Sequence, residues 1–206
     1  MIKIKSLTTL VVVIFLSFLS FQSDSRAYYF NSTKKDTTPV REEGNGQDLY
    51  ADILSAGNLE VNSISSPAVD FLNGSDDEIC VNTEYNKGII NLGGDAVRIY
   101  NAYSASVELY SGLISGNGNN TIAALGTPNF YILSSSGTTI SNNQVGGNTI
   151  LHNNNAKYIG NGYDVLYIAY SGTISAKDNS SSTAVRFLDS NNRSKLIISN
   201  SGLITA

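Results

Sequence analysis

Cysteine, histidine and methionine each occur once in 206 residues, and tryptophan is absent. With Cys80 alone no internal disulfide forms, so packing and hydrogen bonding must hold the chain together. Any nucleophile–histidine–acid catalysis would have to use His152, and no G-x-S-x-G elbow accompanies it. Charge is scarce too. Lys and Arg number 13 against 17 Asp and Glu, 15% of the chain, for a net charge of −4. No basic tract of any length occurs, which argues against nucleic acid and anionic membrane surfaces as partners. Beyond the N-terminal segment, no stretch sustains the 3.6-residue apolar period of an amphipathic helix.

Asn, Ser, Gly and Tyr are plentiful, with 18 Gly and 12 Tyr. That composition suits stacked strands with polar turns. The N-terminus reads as an export signal. Lys3 and Lys5 open it, an apolar run follows from Leu7 to Phe21, and Ser25-Arg26-Ala27 offers small residues at the two positions a signal peptidase reads. The run is shorter than the roughly twenty residues that span a bilayer, although an uncleaved anchor is the alternative. The expected cleavage lies between Ala27 and Tyr28, leaving residues 1–27 as signal peptide. Residues 28–48 are polar and aperiodic and read as a flexible leader. The domain is then 49–206, with Leu49 to Ser66 as a first imperfect layer and clear repeats over 68–206.

Two phrases recur in fixed order. One is A-V-x-[FI]: AVDF at Ala68, AVRI at Ala96, AVRF at Ala184. The other is an apolar strand turning at glycine towards isoleucine, at Gly88, Gly112, Gly137, Gly172 and Gly202. TIAAL from Thr121 and TILHN from Thr149 fill the first position in the weaker units. Within strands the alternation has period two. Val97 and Ile99 share a face opposite Arg98, and Val107 and Leu109 share a face opposite Glu108. A unit of about 25 residues cannot bury its apolar face alone, whereas stacked units can. These features predict an all-β chain, a right-handed parallel β-helix of about five rungs. An antiparallel sandwich and a trimeric β-roll are the alternatives, and neither accounts as well for this order and spacing. The glycine before each third strand suits a corner with positive φ or a close approach to the next rung.

The phrases in AVRFLDSNNRSKLIISNSGLITA resemble the rungs of bacterial autotransporter passenger domains, over Ala68 to Ala206. The resemblance implies a Gram-negative exported protein at, or released from, the cell surface, in a family containing adhesins, aggregation factors and toxins. That family carries a C-terminal membrane β-barrel, and no run of amphipathic strands with aromatic girdles is present here. The expectation is therefore a passenger fragment, truncated or split, held in the periplasm if the barrel is missing.

Candidate chemistry is sparse. His152, in LHNNN, reads as a surface-loop residue. Asp76-Asp77-Glu78 reads as a solvated turn. Gly160 to Tyr167 echoes a calcium-binding nonapeptide, with Asp164 the residue to watch, and Ser115 to Ile122 is a poorer echo. Cys80 in EICV takes the outward position of Glu108 in VELY, with a core position as the alternative. No catalytic, cofactor or metal residue is assigned. Tyr100, Tyr103, Tyr110, Tyr131, Tyr167 and Tyr170 lie in or beside the proposed strands; Tyr100, Tyr103, Tyr110, Tyr167 and Tyr170 form a candidate contact surface, with cross-strand packing along the rod as the alternative. The expected function is non-enzymatic: an exported surface protein in adhesion or self-association. Its partners would be host or bacterial surface proteins or glycans, or itself through end-to-end oligomers, without membrane insertion by the mature domain. A polysaccharide-active β-helix enzyme and a remnant with no independent role are the alternatives.

Overall fold

The computed structural model describes residues 26–30, 35–154, 164–189 and 194–206. Short apolar–polar alternations separated by Asn- and Gly-rich turns become strands, and no helix occurs among the described residues. The first strands are β1 (Arg26–Phe30), β2 (Lys35–Asp36), β3 (Val40–Glu43), β4 (Leu49–Ser55), β5 (Asn58–Val61) and β6 (Val69–Leu72). Next come β7 (Asp76–Thr83), β8 (Gly88–Asn91), β9 (Val97–Tyr100), β10 (Ser104–Ser111), β11 (Leu113–Gly116) and β12 (Asn120–Leu125). Then follow β13 (Asn129–Ser134), β14 (Thr139–Asn142), β15 (Asn148–Asn154) and β16 (Asp164–Tyr170). The last are β17 (Thr173–Ser175), β18 (Thr183–Asp189), β19 (Ser194–Asn200) and β20 (Leu203–Thr205).

Every third strand joins the same sheet. Sheet I runs β1-β4-β7-β10-β13-β16-β19, sheet II runs β2-β5-β8-β11-β14-β17-β20, and sheet III runs β3-β6-β9-β12-β15-β18. All pairings are parallel, so the chain is a three-sided β-solenoid of about five turns over its clear repeats. Those turns begin at β6, β9, β12, β15 and β18, each passing from sheet III to sheet I to sheet II. This is the order of the repeated phrases. The strands β3, β4 and β5 make a further turn before them, and β1 and β2 make part of another.

The flexible leader expected over 28–48 is therefore replaced, where it is described, by paired strands. Part of β1, with β2 and β3, falls inside it and aligns with the turn above. The reason is that pairing uses backbone N–H and C=O groups, which VREE supplies as well as an apolar stretch does. In its burial pattern only Val40 is enclosed. The expected cleavage point, between Ala27 and Tyr28, lies within β1. The signal segment up to residue 25 lies outside the described residues.

Residues of one phrase stack on the same residues of the next. In sheet II, Leu59, Ile89, Ile114, Ile140, Ile174 and Ile204 are register partners in sequence. In sheet III the row is Val40, Val69, Val97, Ile122, Ile150 and Val185. In sheet I it is Ala51, Ile79, Val107, Ile132, Ile168 and Ile198. From Val61 through Ile174 nearly all inward aliphatics are fully enclosed. Each such side chain contributes about 1.5–3 kcal/mol relative to exposure.

The isoleucine of the glycine phrase, rather than its glycine, is the register residue. Gly88 aligns with Leu113, one place along from Gly112. A Cβ on Gly88 would lie 1.9 Å from the Leu113 carbonyl oxygen, and its φ is 148°. Close approach and positive φ thus coincide there, as the corner argument requires.

Asparagines tie the corner between sheets II and III. Asn91 donates through Nδ2 to the Ser66 and Asp95 carbonyls, while its Oδ1 accepts from the Ser63, Gly93 and Gly94 amides. Asn142 repeats the arrangement, donating to the Gly118 and Asn148 carbonyls and accepting from the Gln144 amide. The turn amides that leave the ladder are satisfied in this way.

His152 is fully buried, against the surface-loop expectation. It lies in β15 with its ring stacked between Phe130 and Phe187, at centroid distances of 6.2 and 5.2 Å. Its Nε2 lies 2.7 Å from the Thr127 carbonyl oxygen, and since a carbonyl only accepts, Nε2 carries the proton. Period two explains the burial, because His152 shares a face with Ile150.

Candidate interaction face

The widest regular surface is the outer face of sheet I. Even-numbered residues of β4, β7 and β10 point outward there, and odd-numbered residues of β13, β16 and β19 do. The face divides along the axis into two unlike halves.

On β4, β7 and β10 it is acidic. Asp52, Cys80 and Glu108 are register partners in successive turns, with Glu78 beside them. No basic residue occupies an outward position on these three strands. Burial first, then the neighbouring carboxylates Asp52, Glu108 and Glu78, pushes the Cys80 thiol up to about 11. Partial burial followed by Glu108 and Asp52 raises Glu78. Cys80 is free and half-buried, in the outward position expected from Glu108, and a thiol held protonated is a poor nucleophile. Tyr110 donates its hydroxyl to Glu108 Oε2 at 2.5 Å, and that bond, then the carboxylate's charge, pushes Tyr110 up to about 12.

On β13, β16 and β19 the same face turns apolar, apart from the exposed Lys195 near the start of β19. Tyr131 pairs with Tyr167, their ring centroids 6.3 Å apart at 55°. Leu133 pairs with Ala169, and Ile197 follows Tyr167 in the next turn. Tyr131 and Ile197 remain 36% and 41% exposed, so aromatic and aliphatic surface meets solvent over three adjoining strands. At the end of these strands, where sheet I turns towards sheet II, Leu133, Ala169, Ser135, Ser171 and Ser201 line an open groove of about 460 Å³, with Tyr110 at one end.

The five expected contact tyrosines do not form one surface. Tyr100 is exposed on sheet III, Tyr103 is exposed at the corner before β10, and Tyr110 is exposed at the far end of β10. Tyr167 is half-buried on the outer face of sheet I. Tyr170 is removed from the set, since it is 3% exposed and donates its hydroxyl to the Leu203 carbonyl at 3.2 Å. An odd separation on one strand puts Tyr167 and Tyr170 on opposite faces. Tyr131 and Tyr167 instead pack on each other across adjoining strands, as the cross-strand alternative expects.

The acidic cluster is a strand, not a solvated turn. Asp76, Asp77 and Glu78 begin β7, with Asp77 buried and its neighbours facing out. In the calcium echoes, residues 160–163 lie outside the described residues, and Asp164 opens β16. Among the described residues no group of three or more His, Cys, Asp or Glu side chains is placed to hold a metal ion.

On sheet III the outward charges of AVDF and AVRI meet each other. Arg98 donates through Nε and Nη2 to the two carboxylate oxygens of Asp70, each at 2.7 Å, and Arg41 approaches from the other side at 3.6 Å. The pair closes one outer face rather than opening a site. No family model matches the chain, and neither a curated protein nor a solved structure matches it significantly.

Proposed function

We propose that this chain is a non-enzymatic exported surface protein, an autotransporter-like passenger segment that acts in adhesion or self-association through the outer face of sheet I. One observation carries the reading. Tyr131, Leu133, Tyr167, Ala169 and Ile197 form a continuous, partly exposed apolar and aromatic face on register-paired strands. Exposed apolar area of this kind marks interaction surfaces, and aromatic anchors dominate their energetics. The solenoid supplies the rigid backing that such a face requires. Surface proteins or glycans of host or bacterium, or a second copy, are the partners this chemistry suits. The cell surface or the extracellular space is the compartment proposed.

The test is binding of the purified chain to cells, to glycan and protein arrays and to itself, beside a Tyr131→Ser/Tyr167→Ser variant. At least a tenfold loss of binding is expected in the variant, with stability lowered by no more than about 1 kcal/mol. A stable monomer that binds none of these, or a variant that binds as well as the parent, overturns it.

A further inference from the structure

Asp77 occupies an inward position of sheet I. Its backbone pairs with Ala105 in the next turn, and the pairing of Tyr50 with Glu78 sets Leu49 beside it in the turn before. Phe130 and Leu166 continue the row. One carboxyl group therefore interrupts an apolar ladder, and it is 2% exposed. Its Oδ1 accepts a hydrogen bond from the Leu49 amide at 3.3 Å, while Oδ2 is buried with no hydrogen-bond partner. The carboxyl lies against Gly74, where an added Cβ would sit 1.8 Å from Oδ1.

Among the described residues no cation compensates it. The charged groups acting on Asp77 are Asp48, in the turn before β4, and Asp76 on its own strand, both acidic. Asp48 is itself held at this corner, accepting from the Asp76 amide at 3.2 Å. Leu49 and Ala105, its neighbours on β4 and β10, are uncharged. An ionised carboxylate in this row would lack both a counter-ion and a hydrogen-bond donor on one oxygen, whereas the neutral acid is tolerated.

We propose that Asp77 is a pH-responsive latch on the N-terminal turns. Protonated, it lets the corner between β6 and β7 close on Leu49 of the turn before. Ionised, it draws water into that corner and loosens the hold of β7 on β4.

Burial, which outweighs the Leu49 hydrogen bond, pushes Asp77 up to about 7 from 3.8. Because the folded value is raised, the stabilisation is full below the unfolded value and is lost as pH rises through about 7. One proton is bound in the folded state and not in the unfolded state across that window. The folding equilibrium then falls about tenfold per pH unit between roughly 4.5 and 6.5 and levels off above 7.

The experiment is equilibrium unfolding of the full chain in urea from pH 4.5 to 8, beside Asp77→Asn, with amide exchange followed at Leu49 and Ile79. Parent minus variant should change by about tenfold per unit across the window, and exchange at both amides, corrected for intrinsic rates, should quicken as pH rises towards 7 and level off above it, in the parent alone. Carboxyl-carbon NMR of the parent gives an independent reading if the variant does not fold. A midpoint near 7 supports the latch. A midpoint in the ordinary carboxylate range, or parallel unfolding profiles for the two proteins, overturns it.

Discussion

Asp70 and Asp77 stand on consecutive strands and are each 2% exposed, yet their surroundings are opposite. Asp70 points outward from sheet III into a row of charges. Arg41 lies in the turn before and Arg98 in the turn after, and Arg98 binds both of its oxygens. Asp77 points inward from sheet I into a row of apolar side chains, with one hydrogen bond and two acidic neighbours. In a parallel solenoid the partner of a residue is whatever the same phrase position carries one turn away. Burial of a carboxylate is thus harmless or costly according to its row, not its depth. Outer rows can alternate in sign from turn to turn, but an inner row must match its apolar neighbours.

The largest expected break in this comparison is Arg98→Ala. It leaves the Asp70 carboxylate buried beside the more distant Arg41, and should destabilise the chain by about 2–4 kcal/mol in chemical denaturation at pH 7. That lies at the lower end for broken buried pairs because about a third of Arg98 stays in water. The contrast is sharpened by one substitution at both sites. At pH 8, Asp77→Asn should stabilise by about 1–2 kcal/mol, since it removes an uncompensated charge. Asp70→Asn should destabilise, since it removes the acceptor of a bidentate pair. If both changes have the same sign at pH 8, the contrast between the two rows fails.

Smaller effects belong to the outer face of sheet I. Tyr131→Ser should cost less than about 1 kcal/mol of stability, because only a cross-strand aromatic contact is lost, and calorimetry measures it. Least of all in stability, Glu108→Gln should leave the melting temperature unchanged while the Tyr110 phenol, held at about 12, moves back towards 10. Ultraviolet titration of the variant against the parent reads that shift directly.

The solenoid was legible because its signals are local and repeated. The phrases AVDF, AVRI and AVRF align in the structure through β6, β9 and β18, with β12 and β15 between them. Their outward charges were legible as well, through Asp70 and Arg98. His152, Asp77 and Tyr170 were misread, although period two counted from Ile150, Ile79 and Ile168 places all three inward. Their polar or amphipathic character and the Asn- and Asp-rich settings outweighed the parity. β2 and β3 were missed for another reason. A short edge strand held by backbone pairing leaves little imprint on side-chain periodicity.

The sequence by itself determined that the chain stacks as repeated strands, since no single unit can bury its own apolar face. It also determined which side of each strand faces in, through alternation. Only the tertiary structure decided the partners. Arg98 meets Asp70 across 28 residues of chain, Tyr167 meets Tyr131, and Asp77 falls beside Leu49 and Ala105. The turn lengths between strands set that register, and because turns vary in length, the spacing along the chain leaves the pairing open until the strands lie side by side.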